Sequence, residues 1–81
     1  MTKSVDYFLR EIEAKGMSHS DVARAAWRKK GSNAAINYWK RLRGVAGTKQ
    51  QGLRYEDIKA LCLALGLDPV RAVIEIEKME K

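Results

Sequence analysis

Ser18-His19-Ser20-Asp21-Val22-Ala23-Arg24-Ala25-Ala26-Trp27-Arg28-Lys29-Lys30-Gly31-Ser32-Asn33-Ala34-Ala35-Ile36-Asn37-Tyr38-Trp39-Lys40-Arg41-Leu42-Arg43 is the stretch on which the fold turns. Ser18 precedes Asp21 by three residues, close to a capping box, and the acid also suits the positive end of a helix dipole. Val22, Ala23, Ala25, Ala26 and Trp27 then continue a short, alanine-rich helix, which Lys29-Lys30-Gly31 breaks. Ser32 and Asn33 are good N-cap residues for a following helix, and Ala35, Ile36, Trp39 and Leu42 share one apolar stripe along it. The spacing predicts two short helices joined by a turn. Ala23 and Ala26 allow a close crossing, and Val22, Ile36 and Trp39 lock the second helix inward.

On the N-terminal side, Val5, Phe8, Leu9 and Ile12 recur at helical spacing, which predicts a helix over Val5–Lys15 ended by Gly16. On the C-terminal side, Gly44–Gly52 reads as a polar loop. Tyr55–Leu65 reads as a helix with Ile58, Leu61, Cys62 and Leu65 facing inward and Gly66 stopping it. Asp68-Pro69 supplies an N-cap followed by proline at the first helical position, so a last helix runs toward Met79. Ile74-Glu75-Ile76-Glu77 also alternates like a strand, which makes that element the least determined. The expected fold is all-α: one compact domain of five helices over residues 1–81, with its core within about 5–69 and a C-terminal helix over 70–81.

At 81 residues the chain has room for a single small core and buries only about 60% of its unfolded surface. A two-domain enzyme, a dinucleotide-binding fold and a barrel are excluded by size. The single cysteine, Cys62, builds no internal disulfide framework. No apolar run approaches the roughly 20 residues of a membrane span, and Met1-Thr2-Lys3 leads into no signal-peptide core. A reduced, cytoplasmic setting is expected. The formal charge is +6, and it is unevenly placed. Val22–Tyr55 carries nine basic residues and no acidic one, whereas the rest carries seven basic and ten acidic. A surface charged only for solubility mixes its signs, so the basic stretch points to a polyanion and the release of its counterions.

With Ile36 and Trp39 turned inward, the third helix presents Ser32, Asn33, Ala34, Asn37, Tyr38 and Arg41 outward. These suit the major groove of double-stranded DNA: asparagine pairs with an adenine edge, arginine with guanine, and Ala34 meets a thymine methyl. An exposed structural helix of this length more often carries Glu and Lys in i,i+4 pairs. Tyr38 either contacts a base or covers a rim of the core. Trp27 and Trp39 lie on apolar faces and read as core.

The chain resembles the Cro/repressor-type, lambda-repressor-like helix-turn-helix proteins of phages and bacteria over about Val5 to Pro69. Gly16-Met17-Ser18-His19-Ser20-Asp21-Val22-Ala23 resembles the family's Gly-Leu-Ser-Gln-x-x-Leu-Ala entry into its first motif helix. Ile36-Asn37-Tyr38-Trp39 resembles the end of the recognition helix. Tyr55–Leu67, with its Ala64-Leu65-Gly66-Leu67 ending, is similar to the helix after the family's basic loop. Ala23 to Ile36 spans three residues more than the usual motif, so the Trp27–Gly31 turn is longer or the second helix extended. His19 stands where the family often has Gln, Lys40 replaces an acidic residue, and Gly44 falls about two positions late.

Phosphate contacts should flank the reading helix. Ser18 and His19 at a helix start, Lys29 and Lys30 in the turn, and Lys40, Arg43, Lys49 and Gln50 beyond are the candidates. The plainer alternatives are a solvated turn for Lys29-Lys30 and an ordinary loop for Gln50-Gln51. One histidine and one cysteine on different helices make no zinc site, and no nucleophile has a histidine to serve it, so no catalysis, metal or cofactor is expected. Gly44–Lys49 lacks the spacing of a phosphate loop. Val70, Val73, Ile74, Ile76 and Met79 exceed what one core stripe requires and suggest a homodimer face, unless a small core uses them all.

Together these features support a sequence-specific transcriptional regulator, a phage or prophage repressor acting as a dimer on a palindromic operator. No membrane or small-molecule partner is evident. The competing readings are an antitoxin-like or adaptor module that chiefly binds a protein, and a sequence-indifferent nucleic-acid binder.

Overall fold

The computed structural model describes residues 3–44 and 53–80. Five helices make up this part of the chain, and no strand occurs among the described residues. They are α1 (Ser4–Ala14), α2 (His19–Ala26), α3 (Ser32–Arg43), α4 (Tyr55–Leu65) and α5 (Pro69–Met79), with a single 3-10 turn, Arg28–Lys30, between α2 and α3. The radius of gyration, 11.7 Å, is that of a closely packed chain of this length. None of the described helices is long and apolar enough to cross a membrane.

Local chemistry accounts for most of the boundaries. Ser18 caps α2, its Oγ accepting the Asp21 amide at 3.1 Å. Asp68 caps α5 in the same way through the Val70 amide at 3.0 Å, with Pro69 at the first helical position. The alternating Ile74–Glu77 segment is helical, because this cap and proline commit the chain before the alternation begins. Neither Ser32 nor Asn33 caps α3. The N-cap is Gly31, at φ 83 and ψ 161, a region that costs other residues about 1–3 kcal/mol. Its carbonyl accepts the Ala35 amide at 3.0 Å, so Ser32 and Asn33 become the first exposed positions of the helix itself.

The core gathers Val5, Phe8 and Ile12 of α1, Val22 and Ala23 of α2, Ala35, Trp39 and Leu42 of α3, Ile58, Leu61, Cys62 and Leu65 of α4, and Ala72 and Ile76 of α5. Outside α2, whose Val22 and Ala23 are adjacent, the sets repeat at three or four residues, the spacing of one helix face. Leu53 closes the core just before α4, and its amide donates to the buried Ser4 Oγ at 3.0 Å, tying the start of α1 to the approach of α4. At the far end, the Lys3 amide donates to Glu80 Oε1 at 3.2 Å.

Ile76, expected on a dimer face, is 0% exposed and belongs to the core. Helical geometry places it one turn after Ala72, so the two form the inward stripe of α5. Val73 and Met79 are half-buried, and Val73 packs against the core. Only Val70 (61% exposed) and Ile74 (47%) of that set stand well out.

Candidate nucleic-acid interface

The buried stripe of α3 fixes which way its other side points. With Ala35, Trp39 and Leu42 inward, Ser32, Asn33, Ala34, Asn37, Lys40 and Arg41 are all exposed. This face carries amides, a hydroxyl, a methyl and two cations, and no acid. The first turn of α3 has no side-chain cap, so its leading amides are left for another acceptor.

Tyr38 departs from this face. Its hydroxyl donates to Asp57 Oδ1 at 2.8 Å, and its ring meets Trp27 edge-on with centroids 5.0 Å apart. Lys30 Nζ sits 4.5 Å from the centroid of the Tyr38 ring. Of the two roles open to it, Tyr38 therefore takes the rim of the core. Burial, then the bond to Asp57, pushes its phenol above the ordinary 10.0. Asp57 was not singled out by the sequence, yet it is buried and holds both Tyr38 and the Arg54 amide, the latter at 3.3 Å through Oδ2. Its place three residues after the Arg54 N-cap was the available signal; its link to Tyr38 was not visible.

His19 is half-buried at the start of α2, and its Nδ1 accepts the Trp39 indole N–H at 3.2 Å. That role places the proton of the neutral ring on Nε2, leaving one N–H donor. Burial, then the positive charge of Arg43, lowers its pKa from the ordinary 6.5. Arg43 is half-buried with its guanidinium 5.5 Å from the Trp39 ring centroid. Trp39 is fully buried, while Trp27 is half-buried and lies 6.0 Å from it, centroid to centroid.

This geometry predicts a pH dependence. Below the ordinary 6.5 the unfolded chain takes up a proton at His19 more readily than the folded one, because the folded-state value is lowered. Stability should rise with pH from the lowered value up to about 6.5 and be level above it. Thermal midpoints compared between about pH 5 and 7 should show a smaller fall on acidification in His19→Gln, whose amide does not titrate. An unchanged slope would mean that His19 is not the group responsible.

Among the expected phosphate contacts, Lys29, Lys30 and Lys40 are exposed, and Ser18 is exposed with its Oγ occupied as a cap. Lys49 and Gln50 lie outside the described residues, as does the predicted loop apart from Gly44. The basic stretch gives up one charge locally, since Arg24 pairs with Asp21 just outside it. Burial pushes the Cys62 thiol up to about 11, which keeps it protonated in the core. Among the described residues no three His, Cys, Asp or Glu side chains gather as a metal site would require.

No family model, curated protein or solved structure matches this chain.

Proposed function

We propose that this chain is a sequence-specific, double-stranded DNA-binding regulator of the Cro/repressor type. In this reading α2, the 3-10 turn and α3 form the helix-turn-helix. The observation that carries it is the exposed, acid-free face of α3, held outward by the buried Ala35, Trp39 and Leu42. Helix α3 enters the major groove; Asn37 and Arg41 read base edges, and Ser32, Asn33 and Ala34 approach the groove from its first turn. His19, Lys29, Lys30 and Lys40 meet the backbone and set the register. The three-residue turn supports the longer connection expected for this chain relative to the family pattern. Two copies pair through Val70 and Ile74 and bind half-sites about one helical turn apart, so repression follows from covering a promoter. The protein is not an enzyme in this reading.

A competition assay at fixed salt between the chain's own upstream region, random duplex and RNA tests it, with DNase footprinting to locate a site. A clear preference for the upstream duplex is expected. Equal binding to all three would favour the sequence-indifferent binder instead. Arg41→Ala should cost about 1–3 kcal/mol on the specific site and relax preference at one base position. An equal loss on random duplex would move Arg41 from base to phosphate.

A further inference from the structure

Leu63 is 83% exposed, although it sits in the last turn of α4 directly after the fully buried Leu61 and Cys62. It stands between two adjoining open hollows. One, of about 760 Å³, is lined by Ala25, Ala26, Trp27 and Ala64, together with the basic 3-10 turn. The other, of about 400 Å³, shares Ala26 and Leu63 and continues over Ala60, Leu67 and Pro69 beside Lys59. The floor is built of small and apolar side chains, and its charged lining is Arg28, Lys29, Lys30 and Lys59, with no acid lining either hollow. All four of these cations are exposed.

We propose that this trough is a docking surface for an acidic amphipathic helix of a partner protein. Alanines on the floor let a helix backbone approach closely, Leu63 offers an apolar side chain to be covered, and the four cations fit glutamates or aspartates flanking the partner's apolar stripe. A small molecule is a poorer occupant, because the polar groups are long flexible cations at the rim rather than fixed donors converging on the floor. Lys29 and Lys30 also belong to the phosphate contacts proposed above. On that reading of function, a docked acidic helix competes with DNA for them, and the partner acts as an antagonist.

The test uses the full chain, labelled with nitrogen-15, and a synthetic helical peptide of about 16 residues with leucines at i, i+4 and i+7 flanked by glutamates. The peptide should shift the amide signals of Ala25, Ala26, Ala60 and Leu63 and the Trp27 indole. Leu63→Asp, at a site too exposed to disturb folding, should abolish those shifts. Arg28→Glu with Lys59→Glu should weaken binding about tenfold or more and favour the same peptide with lysine for glutamate. Several results would overturn the proposal: no shifts, equal binding of the lysine peptide, or shifts elsewhere. Movement of the Leu63 signals on concentrating the protein alone would assign the trough to a second copy. Movement of them with random duplex would assign it to nucleic acid. Docking is read without DNA, so it stands or falls apart from the regulator reading; antagonism is read by adding the peptide to a protein–DNA mixture, where lost DNA binding supports it and unchanged binding refutes it.

Discussion

Trp39→Ala should leave this chain barely folded at room temperature. Trp39 is the largest fully buried side chain, and truncating such a residue costs about 3–5 kcal/mol. Small domains have about 5–15 kcal/mol in all, and short chains lie toward the low end. The loss is compounded locally: Trp27 and the Arg43 guanidinium both rest against this ring, and His19 loses its indole donor. Urea unfolding followed by circular dichroism should show the midpoint fall to a small fraction of its original value. Trp39→Phe separates two causes. It keeps most of the volume while losing the N–H together with part of the indole, so a cost of about 1–2 kcal/mol is expected, since water can reach the half-buried His19. If the two variants were equally damaging, the hydrogen bond rather than the filled volume would dominate.

Ile76→Asp should be of similar severity, and it distinguishes two residues that look alike in sequence. Ile76 is fully buried, so the introduced carboxylate loses its hydration, at a cost of several kcal/mol. The damage should ease as pH falls, because burial raises the pKa of the new carboxyl and protonation relieves the penalty below that value. Ile74→Asp, two residues away and 47% exposed, should fold with nearly the original stability. If two copies pair through α5 as proposed, its effect should appear as weaker self-association in sedimentation equilibrium. A folded Ile76→Asp, or an unfolded Ile74→Asp, would reverse the assignment of the two faces of α5.

That pair shows where sequence reading reached its limit. The existence of α5 was legible from Asp68-Pro69, and α4 was legible over about Tyr55–Leu65 from its stripe and Gly66. An excess of apolar residues around α5 said that some must be outside, but not which. The answer depends on how the helix is rotated against the core, which is set by packing partners distant in the chain. Asn37 and Arg41 could be placed outward because α3 has a narrow stripe; Tyr38, at the stripe's edge, could not. Its partner Asp57 lies nineteen positions on, and no local pattern reports such a bond. The start of α3 was misjudged for another reason: Ser32 and Asn33 have the chemistry of a cap, but Gly31 has the backbone freedom, and here the dihedral angles decided. The trough around Leu63 was likewise invisible until the neighbouring helices were in place, because exposure is a property of the assembly of faces rather than of any one helix.

The bond between the Lys3 amide and Glu80 brings together positions 77 residues apart. The first and last described residues of the domain therefore lie side by side. A fusion at either end starts from the same point, and a short peptide bridge between them would make a circular protein with little distortion. Such closure should stabilise the fold by restricting the denatured chain, with no new native contact required.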